Sequence, residues 1–363
     1  MDIVLMIVYT TLVLGFLVFI HEGGHYLASR AFGVRVTEFM LGLPGPNIGF
    51  TKWGTKFGVT PFLLGGYAKV CGMEPGEMSP HLEPVLAALY RRGTANMEDI
   101  ARDCGITDDE AYEALDELVE WGSIAGPAKQ DKYNTYRAPV VKPSKKQLAA
   151  GAVAYELGQA RPVEDAHALF ESEYKQQYRS LPFWKRSVIL VAGVGVNLLF
   201  AVLLLVVVFS VIGLDMVNPD TGAIQHVVLT PLQALQFGFN YIGMVVQMVV
   251  GLFNPATAAE TVSNSSSVIG IAAMSKTYFD LGAGYAMMFV VMISVSLGIM
   301  NLLPIPPLDG GRLVIEIFQK VSRKVVSMRA LNYLSAAGMI LFIGFFLFMA
   351  NQDIQRFVFG NWG

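Results

Sequence analysis

The segment IVLMIVYTTLVLGFLVFIHEGGHYLA, residues 3–28, joins an apolar stretch directly to a pair of histidines. A helix needs about 20 apolar residues to cross the hydrocarbon core of a bilayer, and this stretch has that length. Its first charge is Asp2, whereas a cleaved signal peptide starts with Lys or Arg and ends at small residues. The sequence therefore predicts a retained membrane-spanning helix that carries His21 and His25 near one end.

The composition of the whole chain is that of a membrane protein. Of its 363 residues, 53% are hydrophobic and only 15% are charged, and the mean hydropathy is +0.48. The net charge of -3 gives no general attraction for nucleic acid. Cys71 and Cys104 have no neighbours at metal-ligand spacing, and we interpret them as incidental thiols of a reducing compartment. The expected fold class is a mainly α membrane protein.

Charge and hydropathy together predict four transmembrane helices. The segments of spanning length are 3–28, 188–213, 284–303 and 334–350. A fifth segment, 232–253, carries polar residues along one helical face, which is typical of a helix that lies in the membrane interface or against other helices. Lys and Arg concentrate between the first and second spans and again after the third. The positive-inside rule then places residues 71–186 in the cytoplasm and both termini outside.

Two further pieces lie between the first two spans. Residues 47–72 alternate apolar and polar side chains around glycine turns, which predicts a small membrane-associated β-hairpin or sheet. This sheet would either pack on the helices or offer a strand edge to an unwound substrate, with Gly65, Gly66 and Tyr67 as candidate substrate-binding residues.

Residues 80–140 are predicted to form an inserted soluble α+β module. Helical patterns at 81–92, 96–103 and 107–121, followed by a hairpin over 123–138, suggest a winged-helix-like fold. The third helix carries acids and no base, so it would repel phosphate. We therefore expect no nucleic-acid partner and favour a regulatory protein contact.

These features divide the chain into eight segments. The segments are 1–46 with the first transmembrane helix and the histidine pair, 47–72 with the β-hairpin, 80–140 with the module, 141–187 as a charged linker, 188–213 with the second transmembrane helix, 214–283 as an external loop with an amphipathic helix, 284–330 with the third transmembrane helix and a basic helix, and 331–363 with the fourth transmembrane helix and a tail.

The residues HEGGH at 21–25 match the pattern H-E-x-x-H within a helix. Four residues make about one helical turn, so both imidazoles can bind one metal ion, and Glu22 lies beside them as a candidate general base. A zinc hydrolase needs three protein ligands and an open position. Asp309 is the one carboxylate between Asp280 and Glu316, and the predicted topology brings it to the same depth. Its alternative role is to cap the helix that begins near Gly311.

The pair HEGGH and NLLPIPPLDGG resembles the site-2 protease family of intramembrane zinc metalloproteases, which includes bacterial regulator of sigma-E proteases. Residues 50–73 resemble the membrane-associated β-hairpin of that family, and residues 181–201 resemble its second span. The resemblance implies that His21, His25 and Asp309 bind zinc, that Glu22 is the general base and that Asn197 supports the active site. It also implies a bacterial plasma membrane, contact with membrane lipids, and substrates that are single-span membrane proteins such as anti-sigma factors or signal-peptide remnants.

The sequence departs from the family pattern in two ways. The region 214–283 is too short and too apolar for the PDZ domain of many bacterial members, and Val194 replaces a usual proline.

Two rival functions remain at this point. A zinc-binding membrane sensor or transporter without proteolysis would need the metal ligands but not Glu22, and a membrane-anchored DNA-binding regulator would act through residues 80–140.

Overall fold

A computed structural model describes residues 2–360 except 64, 74–76, 129, 132–133, 144–147, 150, 218–221 and 264. Among these residues, five helices are long and apolar enough to cross a membrane, and the protein is a mainly helical, multi-pass membrane protein with small sheets. The five are α1 (Asp2–Ala31), α6 (Phe183–Val207), α7 (Pro231–Gly251), α10 (Ala283–Asn301) and α12 (Met328–Phe357).

Helix α7 covers the segment for which the sequence predicts an interfacial helix. Thr230 begins it with a capping box, in which its hydroxyl accepts from the Gln233 N–H and the Gln233 side chain accepts from the Thr230 N–H. The helix is apolar enough to count among the five candidate spans, despite the glutamines along one face. Length and composition thus admit α7 as a fifth span, and the count of four spans stays a prediction.

Helix α6 lies at the centre of the membrane bundle. It packs against α1, α7, α10 and the shorter helix α11 (Asp309–Ser322). A π-helical turn at Val208–Ile212 continues α6 and leads into the hairpin formed by β7 (Leu214–Val217) and β8 (Ile224–Val227). The apolar core around α6 includes Ala201, Leu205, Val291 and Val295, all fully buried.

Two shorter helices, α8 (Ala258–Ser263) and α9 (Val268–Asp280), follow α7. Helix α9 packs against α1, α10 and α12. The fully buried carboxylate of Asp353, on α12, accepts hydrogen bonds from the N–H groups of Ser267 at 2.6 Å and Gly270 at 3.0 Å. These N–H groups belong to the start of α9, where a helix has no internal partners for them. The Ser267 hydroxyl caps the N–H of Ile269, and Asp353 of α12 adds an acceptor for these two further N–H groups.

The small sheet next to α1 has four strands in the order β2-β3-β1-β4. They are β1 (Val36–Leu41), β2 (Ile48–Lys52), β3 (Thr55–Val59) and β4 (Gly66–Val70). Strand β1 pairs parallel with β3 and antiparallel with β4. Sequence analysis misses β1, which follows directly after α1, so the sheet begins before residue 47.

Residues 82–138 pack around a core of their own. The helices are α2 (Leu82–Arg92), α3 (Met97–Cys104) and α4 (Asp108–Glu120), and Trp121, Leu86 and Leu115 are fully buried among them. Strand β6 (Thr135–Arg137) pairs with β5 (Thr94–Asn96), in the extended stretch between α2 and α3. The first strand of the predicted hairpin is represented by one isolated bridge, Ala125 to Arg137, and its turn lies partly outside the described residues.

The segment after this unit returns the chain to the membrane. It contains α5 (Ala166–Tyr174) and a short 3-10 helix at Tyr178–Ser180, which leads to α6. Trp184 is half exposed and packs edge-on against Phe32 at the end of α1. Such an aromatic pair is typical of the membrane–water interface.

Candidate metal centre

Helix α1 places both histidines of the HEGGH motif on one face. The Nε2 atoms of His21 and His25 lie 3.3 Å apart, and the two residues are 5% and 7% exposed. This closeness follows from the spacing of four residues, because a helix turns once in 3.6 residues. The two imidazoles form one side of a candidate metal centre.

Asp309 completes a group of three donors. It is the first residue of α11, and its Oδ2 atom lies 3.1 Å from the Nε2 of His21 and 3.2 Å from the Nε2 of His25. For tetrahedral zinc with bonds of about 2.0–2.1 Å, neighbouring ligand atoms are about 3.3 Å apart. The three donor atoms therefore have the chemistry and the separations that a zinc ion needs.

The other ring nitrogen of His25 fixes which nitrogen can bind metal. Nδ1 of His25 donates to the main-chain carbonyl of Ile189, on α6, at 2.8 Å. A carbonyl only accepts, so Nδ1 carries the proton and the lone pair of Nε2 is directed at His21 and Asp309. Metal-binding histidines usually have such a second partner, which holds the ring in orientation.

Asn197, also on α6, lies on the other side of the site. Its amide nitrogen is 3.4 Å from Nδ1 of His21, the residue is fully buried, and its Oδ1 has no hydrogen-bond partner among the described residues. A His21 ring that binds metal through Nε2 carries its proton on Nδ1 and requires an acceptor there. Turning the Asn197 amide by 180° would supply that acceptor from the orphaned oxygen, so this residue also fits a zinc centre.

Glycines let α1 and α6 approach at the level of the histidines. A β carbon on Gly193 would lie 2.5 Å from Nε2 of His25, and one on Gly24 would lie 2.5 Å from the carbonyl oxygen of Ala192. Gly23 has nothing within 4 Å of its β position, so close packing is the role of Gly24 in this pair. Small residues at a helix crossing bring the two backbones together in membranes.

Glu22 points from α1 toward the sheet. Its Oε2 atom accepts a hydrogen bond of 3.0 Å from the main-chain N–H of Ala68 in β4. Gly66 makes this approach possible, because a β carbon there would lie 2.8 Å from Val18 and 3.3 Å from Cγ of Glu22. The carboxylate is thus held by one oxygen, and the sheet touches α1 one residue from His21.

Of the other two candidate substrate-binding residues, Gly65 lies just before β4 and Tyr67 lies within it. The carbonyl of Gly65 accepts from the N–H of Gly42 at 2.8 Å, and the hydroxyl of Tyr67 donates to the Glu38 carboxylate at 2.8 Å. Partial burial and the Glu38 carboxylate raise the pKa of Tyr67 to about 12. Gly66 therefore lies against the Glu22 side chain, whereas the Tyr67 side chain is hydrogen-bonded to Glu38 in β1.

Sequence reasoning misses the main-chain partners of the site. The carbonyl of Ile189 orients His25 and the N–H of Ala68 holds Glu22. Main-chain groups leave no side-chain signal, and the residues lie more than 40 positions from their partners. The strand pattern of residues 47–72 and the hairpin resemblance over residues 50–73 suggested a substrate edge there, but neither predicted the contact of β4 with Glu22.

Similarity to known proteins agrees with this geometry. The sequence pattern of peptidase family M50 matches residues 9–345. A protein of Campylobacter jejuni named as a zinc metalloprotease is 24% identical, with 96% of this chain and 93% of the relative covered. A protein of Agrobacterium fabrum with the same kind of name is also 24% identical, with 96% and 95% covered.

The regulator of sigma-W protease RasP of Bacillus subtilis is similar too. It is 21% identical over 95% of this chain and 97% of its own length. The similarity extends over almost the whole of each relative, so it includes both the HEGGH helix and the segment around Asp309. The match to the family pattern over most of the chain means that this protein belongs to peptidase family M50, the zinc metallopeptidases of the site-2 type.

Proposed function

We propose that this protein hydrolyses peptide bonds within transmembrane segments of other proteins, with His21, His25 and Asp309 as zinc ligands and Glu22 as the general base. The observation that carries the proposal is the set of three donor atoms only 3.1–3.3 Å apart, two on buried histidines of α1 and one on the partly buried Asp309 of α11. Ionisable groups at this depth are costly and are retained for function.

The chemistry divides between the metal and the chain. Zinc, when bound, polarises a carbonyl and makes water acidic enough to lose a proton near neutral pH. Glu22 takes that proton and later gives it to the leaving amine, while the Ala68 N–H holds one carboxylate oxygen and leaves the other for the proton. The Ile189 carbonyl and Asn197 keep the imidazoles in orientation.

The substrates that fit this site are single-span membrane proteins. A peptide bond in a helix is shielded by the helical hydrogen bonds, so the substrate must unwind before it reaches the metal. Strand β4 is an edge strand, and residues 65–67, at its beginning, are proposed to receive the unwound chain. RasP is named as a regulator of sigma-W, and by analogy we propose substrates that control transcription from the membrane.

We further propose four crossings of a bacterial plasma membrane, with residues 71–186 in the cytoplasm and both termini outside. A β carbon on Gly284, at the start of α10, would lie 3.1 Å from Leu214 just after α6, and the hydroxyl of Tyr285 donates to the Asp215 carbonyl. The chain thus comes back to the end of α6 before α10 begins. Whatever depth α7 reaches, α10 runs in the direction opposite to α6.

Basic residues support the same orientation. The region 214–283 contains a single Lys or Arg, Lys276, whereas the segments next to the histidine end of α1 are rich in both.

We propose that residues 80–140 form a winged-helix-like module that contacts a regulatory protein and not nucleic acid. Exposed acids on α4, such as Asp109 and Glu113, disfavour contact with phosphates.

The test of the proposed function is Glu22→Gln. Glutamine keeps the size of the side chain and an oxygen that can accept from the Ala68 N–H, but it cannot take a proton at neutral pH. We expect cleavage of a single-span substrate in detergent or liposomes to fall by about 10²–10⁴-fold, with zinc content unchanged.

The same preparations distinguish the rival function. A zinc sensor or transporter requires the ligands but not Glu22, so its metal binding would survive while no cleavage is seen even in the wild type. Cleavage by Glu22→Gln at the wild-type rate would refute the assignment of the general base. The matched control is Glu260→Gln, an acid on the short helix α8, which we expect to cleave normally.

A further inference from the structure

A cavity of about 720 Å³ lies on the cytoplasmic side of the metal centre. Its floor includes Leu190, next to the carbonyl that orients His25, and Pro306 and Pro307, just before Asp309. The cavity therefore adjoins the metal centre without containing the ligands. We call it the cytoplasmic chamber, and three different parts of the protein form its walls.

The first wall is the edge strand β4, on the side away from β1. Ala68, Lys69 and Val70 line the chamber. The sheet order leaves β4 with one neighbour, β1, and the N–H of Ala68 is turned away from β1 toward Glu22. An edge strand offers main-chain donors and acceptors to an added strand, so this wall suits an extended peptide.

The second wall is charged. Arg186 on α6 and Glu316 on α11 form an ion pair at 3.1 Å, with Glu316 only 9% exposed. Arg312, one turn after Asp309, donates to the sulfur of Met73, which is a weak acceptor. Asn332 and Ser335 of α12 continue this side. A wall of this polarity favours water and peptide groups over lipid tails or an apolar helix.

The third wall comes from the inserted unit and its return segment. Glu120, at the end of α4, and Tyr174, on α5, both line the chamber. Their position is fixed by Arg35, whose guanidinium donates to the Gly122 carbonyl at 2.8 Å and to the Glu173 carboxylate at 2.9 Å. The unit is thus docked against the membrane part of the protein by charged hydrogen bonds and contributes one wall of the chamber.

We propose that the cytoplasmic chamber receives the cytoplasmic juxtamembrane segment of the substrate as an extended chain, and that the inserted unit excludes substrates with a folded domain close to the membrane. This inference rests on the proposed function. A volume of about 720 Å³ is of the size that holds a small ligand, about 300–1,000 Å³. A folded domain of about 100 residues has a radius of gyration of about 13 Å and cannot enter.

The experiment compares three single-span substrates with the same transmembrane and juxtamembrane sequence. The first has an unstructured cytoplasmic tail, the second has a small stable domain within about five residues of the membrane, and the third has that domain behind a Gly/Ser linker of about 30 residues. We expect the full-length protein to cleave the first and third at similar rates and the second at least about tenfold more slowly.

The outcomes separate the role of the chamber from the proposed proteolytic function. Cleavage of the second substrate within twofold of the first would overturn the role of the chamber while leaving the proposed function intact. Failure to cleave the first substrate would overturn the proposed function and this inference with it.

A second variant tests the chamber without changing the substrate. Asn332→Trp adds bulk to the chamber wall, whereas Asn351→Trp makes the same change elsewhere on α12. With the unstructured-tail substrate, we expect Asn332→Trp to lower kcat/KM at least about fivefold, mainly through KM, at unchanged zinc content. Asn351→Trp should stay within twofold of wild type. Equal activity of both variants would show that no substrate segment occupies the chamber.

Discussion

Asp309 is held differently from the two histidines at the metal centre. His21 and His25 lie within a long helix that packs against α6, whereas Asp309 is the first residue of α11 and its side chain is 19% exposed. The position of the histidine pair is therefore set by the packing of α1 against α6. Asp309 closes the site from a separate helix.

Replacing Asp309 should weaken metal binding and leave the helices folded. Removing a partner of a metal site commonly costs about 10–100-fold in affinity, and loss of a direct ligand should cost at least that much. We expect Asp309→Ala to lose most of its zinc on dialysis, measured by metal analysis of purified protein. Asp280→Ala, which removes a surface acid paired with Lys276, is the control. Full zinc occupancy in Asp309→Ala would remove this residue from the ligand set.

The sequence predicts the local part of the site better than the distant part. The spacing of His21 and His25 within one helix fixes their closeness, because helix geometry is known in advance. The pairing with Asp309 required both a topology argument and a family resemblance. The contacts of Glu22 with β4 depend on how a sheet packs against a helix, and no pattern in the sequence encodes that arrangement.

The crossing of α1 and α6 is the packing feature on which the metal centre depends. Gly193 faces His25 so closely that no larger residue fits, whereas Gly195, two residues further along the same helix, has nothing within 4 Å of its β position. The two glycines are a matched pair for mutagenesis.

We expect Gly193→Ala and Gly195→Ala to behave differently. Alanine favours helix at both positions, but at 193 its β carbon would overlap Nε2 of His25. Overpacking of this kind costs about 1–3 kcal/mol, enough to lower zinc affinity and cleavage about tenfold or more. Gly195→Ala should retain wild-type values of both quantities. Similar zinc affinities in the two variants would contradict the packing described for α1 and α6.

The sheet illustrates which elements sequence patterns fail to predict. Residues 47–72 have the turn glycines of a hairpin, and β2, β3 and β4 lie there. Strand β1 has only six residues, VTEFML, and follows the end of α1 after a short turn. Its partners are β3 and β4, which come later in the chain, so its assignment depends on tertiary pairing.

The orientation of the whole molecule in the membrane can be tested by cysteine labelling. We expect a cysteine at Gln130 to resist an impermeant thiol reagent in intact cells and to react after permeabilisation, because the basic segments around residues 71–186 favour the cytoplasm. A cysteine at Gln225, exposed on β8 at the far end of α6, should react in intact cells.

Reaction at Gln130 together with protection at Gln225 in intact cells would reverse the proposed orientation. Replacing Cys71 and Cys104 with serine beforehand leaves the introduced thiol as the single reactive group.

The cap that Asp353 provides for α9 has a consequence for biosynthesis. The N–H groups of Ser267 and Gly270 leave the ribosome more than 80 residues before the carboxylate that binds them. Until α12 is made, the start of α9 has no such acceptor, although α9 already contacts α1. A chain stopped after α11 therefore retains all three candidate zinc ligands but lacks the carboxylate that binds the start of α9.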